Sequence, residues 1–151
     1  YSSMALRDDL ANSDRYYIVE IKSLKRILDA VDKTGRPVLC FIDEVLRGTN
    51  TVERIAASSE ILKNLNTGRA LCFAATHDIE LTTILKDCYS NYHFQEEVTE
   101  DEVKFDYKLY AGPATTRNAI KLLNVIGYDK NIIKGAEQRA MHFLTDGNWK
   151  S

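Results

Sequence analysis

Asp43 and Glu44 follow directly on an apolar run, Val38-Leu39-Cys40-Phe41-Ile42, and precede the polar turn Arg47-Gly48-Thr49-Asn50-Thr51. Paired acids at the end of a buried strand are costly unless a cation, a hydrogen-bond donor or water compensates them. The stretch therefore asks for a metal ion or a bound water. An apolar strand ending in Asp-Glu is also the Walker B arrangement of nucleotide hydrolases, in which the first acid helps to hold Mg²⁺ and the second positions or deprotonates the attacking water. A second apolar run, Ala70 to Ala75, ends in Thr76-His77-Asp78. His77 beside Thr76 is a group that could sense a γ-phosphate through a hydrogen bond. Two plainer readings compete: an acid pair that caps the next helix, and a histidine that is only structural.

The elements around these residues decide whether they can meet. Five apolar residues without polar alternation predict a strand buried on both faces, as in a parallel sheet covered by helices. Before it, Tyr17, Ile18, Ile21, Leu24, Ile27, Leu28 and Val31 recur at helical steps, with Glu20, Lys22, Lys25 and Arg26 on the other side, so a helix is expected from Arg15 to Lys33. After it, Ile55, Ala56, Ser59, Leu62 and Leu65 mark a helix from Val52 to Asn66. Strand, helix and strand within about 35 to 40 residues make a right-handed βαβ unit. That unit places Asp43-Glu44 and Thr76-His77 at one edge of the sheet, where parallel sheets bind ligands. Asp78 or Thr76 is expected to cap a short helix from Ile79 to Leu85. Alternation in Tyr92, Phe94, Glu96 and Val98, and again in Val103, Phe105, Tyr107 and Leu109, predicts an antiparallel hairpin with one wet face. Two helices follow Gly112-Pro113, broken at Gly127-Tyr128-Asp129. Asp8 and Asp9 fall in a mixed stretch that suits an edge strand or a loop.

With 151 residues, 44% hydrophobic and 28% charged, the chain fits one ordinary domain with a core. A formal net charge of −2 provides no basic field for phosphate backbones, so nucleic-acid binding by this chain alone is not expected. Cys40 and Cys72 sit in apolar runs and none of the cysteines forms a CxxC pair, which points to buried thiols in a reducing, cytoplasmic setting. No membrane span or secretory leader is legible. His93 and His142 lack zinc-ligand spacing.

A phosphate-cradling loop should read GxxxxGK[ST], and none of the seven glycines is followed by lysine. Without those amides and that lysine, nucleotide would be held poorly. The chain thus carries half of a hydrolytic site.

Taken jointly, Tyr16-Tyr17-Ile18-Val19-Glu20-Ile21, then FIDEVLRGTNT at 41–51, Ala75-Thr76-His77 with Glu80-Leu81, and GPATTRNAIKLLNVIGY at 112–128 resemble the carboxyl-terminal ATPase domain of the MutS family of DNA mismatch-repair and related proteins. The resemblance implies an α/β fold, a partial P-loop NTPase of the ABC-ATPase type with parallel strands, an antiparallel hairpin and carboxyl-terminal helices. It implies a Walker B-containing part over 1–111 and a dimerisation segment over 112–151. It also implies ATP and Mg²⁺ as cofactors, Asp43 as the Mg²⁺-associated acid, Glu44 as the base and His77 as the switch histidine. Arg47, Gly48, Thr49, Asn50 and Thr51 would form the D-loop, near the partner's nucleotide in a homodimer, with DNA contacted through domains outside this chain. The family's Walker A lies upstream of the signature segment and would precede Tyr1. Arg15 stands where the signature segment usually carries a nucleotide-contacting serine.

The expected function is therefore the carboxyl-terminal part of a DNA-repair ATPase that couples Mg-ATP hydrolysis to conformational change, with little turnover by this chain alone. The rivals are a non-catalytic dimerisation or interaction module and another ABC-type ATPase. A further rival is a DNA-reading helix-turn-helix using Thr115, Thr116, Arg117 and Asn118, with Lys130 and Lys134 nearby.

Overall fold

The computed structural model describes residues 1–3, 13–33, 35–99, 102–115 and 118–149. A short strand, β1 (Ser2–Ser3), is followed by helix α1 (Ser13–Lys33), strand β2 (Val38–Asp43), helix α2 (Thr51–Leu65), strand β3 (Ala70–Ala75) and the short helix α3 (Ile79–Ile84). The strands form a parallel sheet in the order β1-β2-β3. Val38 lies opposite Ala70 and Asp43 opposite Ala75, so β2 and β3 end level with each other. The predicted βαβ unit is present. Asp8 and Asp9 lie outside the described residues.

The core follows from the helical periodicity. Leu24, Ile27 and Val31 of α1 and Leu62 and Leu65 of α2 bury against Val38, Cys40 and Ile42 of β2, with Val45, Leu46, Leu81 and Leu85 closing the cluster. Burial raises the Cys40 thiol to about 12, which makes it an inert packing group rather than a nucleophile. Cys72 and Cys88 are half-buried against the same cluster, and all three thiols are free.

One expectation is corrected here. Strand β2 is not buried on both faces: Leu39 is 48% exposed and Phe41 46%, and on β3 Leu71 is 62% and Phe73 54% exposed. Successive strand residues point to opposite faces, and the buried cluster of this unit takes up one face only. The other carries an apolar strip in which the Phe41 and Phe73 rings stack 5.4 Å apart. An unalternating run records the residue types on both faces but not what covers them.

Residues Tyr1–Asn91 form one compact unit and Tyr92–Ser151 a second. In the second, β4 (Tyr92–His93) pairs with β7 (Tyr110–Ala111) and β5 (Glu96–Val98) with β6 (Val103–Phe105), both antiparallel. The predicted hairpin is thus present as two short ribbons. The break lies at Asp106, whose carboxylate accepts the Lys108 amide at 3.0 Å, next to Tyr107 in the left-handed region at φ 55°. This local turn competes with strand continuation. The apolar side expected to be dry is largely exposed, at Phe94, Phe105, Tyr107 and Leu109.

Helices α4 (Ala119–Ile126) and α5 (Lys130–Asp146) complete this unit. Gly127 ends α4 at φ 89°, and the Asp129 side chain caps α5 by accepting the Asn131 amide at 2.8 Å. Gly127-Tyr128-Asp129 therefore breaks the helices as predicted, with a left-handed C-terminal cap followed by an acidic N-cap. The DNA-reading alternative loses one of its residues: Asn118 is buried and donates to Glu96 Oε1 at 3.1 Å, so it is not presented to a phosphate. Thr116 and Arg117 lie outside the described residues. Among the described residues, no helix is long and apolar enough to cross a membrane.

Candidate functional site

The level ends of β2 and β3 bring the two sequence motifs together. The Glu44 amide donates to the Ala75 carbonyl at 3.0 Å, so the backbone that carries Glu44 runs beside the residue preceding Thr76-His77. Asp43 closes β2, half-buried. Glu44 then takes a left-handed conformation at φ 52°, and so does Leu46 at φ 58°. Neither is glycine, and such backbone costs energy that the surroundings must offset. Bending the chain twice here turns Val45 and Leu46 into the core and leaves Glu44 at the sheet edge.

There Glu44 Oε1 lies 3.0 Å from His77 Nε2. Glu44 is largely buried, at 22% side-chain exposure, whereas His77 is 92% exposed. The second oxygen, Oε2, is 3.1 Å from Arg47 Nε, yet it is buried without a hydrogen bond, since the guanidinium is within ion-pair range but not aimed at it. A buried carboxylate oxygen without a donor is a group that water or a cation would satisfy.

Three further contacts fix the turn after Glu44. Glu20 of α1, placed on the solvent side by its sequence position, is half-buried and accepts the Leu46 amide through Oε1. Burial raises its pKa, the Leu46 and Arg47 amides lower it, and the nearby Glu44 charge raises it again, with a net upward shift. Tyr17 packs on Gly48, where an added Cβ would stand 3.1 Å from Tyr17 Cδ2, so close approach rather than backbone freedom selects glycine. The buried Ser58 hydroxyl donates to the Val45 carbonyl at 3.3 Å.

The remaining residues of this turn are placed by α2. Asn50 is its N-cap: the side-chain oxygen accepts the Glu53 amide at 3.0 Å, and Nδ2 donates to Glu53 Oε2 at 2.6 Å. This pairing departs from a capping box in that Glu53 accepts from the Asn50 side-chain amide rather than its backbone amide. Thr49 Oγ1 lies 3.4 Å from Glu53 Oε2, and Thr51 is the exposed first residue of the helix. Arg47 and Gly48 are exposed. From α2, Arg54 reaches across to Asp78, with Nε 2.8 Å from Oδ2 and Nη2 2.6 Å from Oδ1. Glu44, Arg47, Arg54, Thr76, His77 and Asp78 line a cleft of about 250 Å³. It is small and carries charged groups of both signs.

Glu20, Arg54 and Asp78 were not foreseen in these roles. Glu20 could have been found only from its place on the stripe boundary, and the Arg54-Asp78 pair spans 24 residues with no periodic signal.

The family model of MutS domain V matches residues 1–144. The chain belongs to the MutS family. Its relatives include the DNA mismatch repair protein MutS of Natronomonas pharaonis, 31% identical over 141 residues that cover 91% of this chain and 16% of that protein. MutS of Thermus thermophilus is 26% identical over 90% of this chain and 16% of its own length. MutS 2 of Haloarcula marismortui is 26% identical over 97% and 15%. The chain thus spans about a sixth of the length of these MutS proteins. Both sides of the Glu44–His77 cleft fall within the stretch matched by MutS domain V.

Proposed function

We propose that this chain is the Walker B half of a MutS-type, P-loop ATPase domain, which in a complete protein couples Mg-ATP hydrolysis to DNA-dependent conformational change in mismatch repair. The observation that carries the reading is the 3.0 Å approach of His77 Nε2 to Glu44 Oε1 at the carboxyl edge of a parallel sheet. Glu44 accepts a proton from the attacking water. His77, exposed at the mouth of the cleft, donates toward the transferred phosphate or back to Glu44 according to occupancy. Asp43, at the strand end, and the unsatisfied Glu44 Oε2 fit the needs of Mg²⁺, which is held by one or two carboxylates together with water and phosphate oxygens. When bound, Mg²⁺ offsets the charge of the phosphates. Among the described residues no cluster of three acids, histidines or cysteines could hold a metal unaided.

ATP hydrolysis is expected to be weak or absent with this chain alone, because GxxxxGK[ST] is missing from its sequence. In a longer protein that carries that loop, Glu44→Gln retains Mg-ATP binding and lowers turnover by roughly 10²-fold or more. Asp43→Asn weakens the Mg²⁺ dependence of binding in titration calorimetry. Measurable turnover by the present chain that Glu44→Ala abolishes would falsify the half-site reading, and indifference of the longer protein to Asp43→Asn would remove the enzymatic one.

The homodimer belongs to the same proposal. What supports it is the apolar surface of α4 and α5, where Ile126 is 73% exposed, Met141 70% and Leu144 62%. A non-catalytic association module rests on those same side chains, and the Asp43 experiment separates the two.

A further inference from the structure

Asp78 occupies the N-cap position of α3, yet its side chain makes no capping hydrogen bond. A cap aspartate ordinarily accepts an amide of the first helical turn. Here both carboxylate oxygens are used on Arg54, Oδ2 at 2.8 Å and Oδ1 at 2.6 Å, in a bidentate fork. Both partners are sheltered, with side-chain exposures of 22% for Arg54 and 13% for Asp78. The pair joins the first turn of α2, immediately after the D-loop turn, to the loop leaving β3. In that loop Thr76 Oγ1 accepts the Asp78 amide at 3.0 Å, and His77 lies between the two.

His77 has little else to hold it. At 92% exposure its 3.0 Å approach to Glu44 is an ion-pair-range contact at the surface, too weak to fix a side chain by itself. Its placement must come from the backbone on which it stands, and that backbone is fastened on its carboxyl side by the fork. Fork geometry also fixes direction, because a planar guanidinium bound through two parallel hydrogen bonds cannot swivel as a single contact can.

We propose that Arg54 and Asp78 form a positioning pair that holds the loop after β3 so that His77 Nε2 stays within hydrogen-bond reach of Glu44. Neither residue is assigned to touch the reacting atoms. The pair deepens the ATPase reading and rests on it for its consequence in turnover, but its geometric effect can be measured in this chain without nucleotide.

The test is the rate at which diethyl pyrocarbonate carbethoxylates His77, read by peptide mass spectrometry with His93 and His142 as internal references. Asp78→Asn, nearly isosteric, accelerates modification of His77 by roughly two- to five-fold, the range of one lost surface ion-pair contact, and leaves the references unchanged. Arg54→Leu, made on the opposite element, gives the same acceleration and guards against a local folding effect of either variant. Glu44→Ala removes the carboxylate itself and accelerates His77 equally. In that background Asp78→Asn adds nothing further, since the pair acts through the His77–Glu44 contact. An unchanged rate in both single variants overturns the proposal, and so does acceleration by Asp78→Asn that is fully additive with Glu44→Ala. A chain that passes this test but binds no Mg-ATP in a longer protein retains the positioning pair and loses the ATPase reading.

Discussion

Glu44 bears its carboxylate on a backbone that an L-residue adopts at a cost, φ 52°, and Leu46 repeats the conformation two residues later. A non-glycine residue in this region costs roughly 1–3 kcal/mol unless its side chain binds locally. Glu44→Gly relieves that cost, and the variant is expected to unfold in urea at a higher midpoint, by about 1 kcal/mol, while losing the acid that faces His77. A lower midpoint would show that the Glu44 side chain stabilises more than its backbone costs. Glu20 gives the second prediction at this scale. Burial, the largest cause, lifts its carboxyl above the ordinary 4.5. The folded chain therefore holds this proton more tightly than the unfolded chain does, and the stability so gained is full below pH 4.5 and lost as pH rises through the folded value. Denaturant midpoints should show a fall across that window that Glu20→Gln removes. An identical pH profile in the variant would assign the fall to other carboxyls.

The turn between β2 and α2 shows at the next scale why a loop called nucleotide-binding from its sequence is also a helix start. Asn50 accepts the Glu53 amide and donates to the Glu53 carboxylate, so Asn50→Ala should lower chain stability by about 1 kcal/mol, as a lost N-cap does. Chemical denaturation measures this, and a change of a few tenths would mean that Thr49 or water replaces the cap. Much at this scale was legible. Residues at three- and four-residue steps marked α1 through Leu24, Ile27 and Val31, and the turn residues Gly127 and Asp129 marked the boundary between α4 and α5. The βαβ pattern placed both motifs at one edge of the sheet, which is why Glu44 and His77 could be expected to meet. What was not legible depends on partners distant in sequence. The exposed side of β2 has the same residue types as the buried side. The Glu20 and Arg54 contacts arise only when helices cross loops. The Asp106 turn overrides an alternation that would otherwise have run on through Tyr107 and Leu109.

At the scale of the whole molecule, two of the exposed apolar surfaces among the described residues have different meanings. Leu39, Phe41, Leu71 and Phe73 form a flat strip on the open face of the sheet, and Ile126, Ile132, Met141 and Leu144 lie on the carboxyl-terminal helices. Exposed apolar patches of this kind promote association, and a net charge of −2 offers little repulsion against it. The two surfaces predict different species. A helix face pairs with its own copy in a closed, two-fold manner and yields a discrete dimer, whereas an open sheet face without a matched cover favours association of no fixed size. Sedimentation velocity across a concentration series should show both. Met141→Glu with Leu144→Glu should convert the discrete dimer to monomer and leave larger species in place. Phe41→Ser with Phe73→Ser should remove the larger species and spare the dimer. Met141 and Leu144 are largely in water, so that pair should lower the folding midpoint by no more than about 0.5 kcal/mol per substitution, whereas Phe41 and Phe73 are about half covered and should cost about 1 kcal/mol each. A dimer that survives Met141→Glu with Leu144→Glu would mean that the carboxyl-terminal helices do not carry the homodimer proposed for this chain.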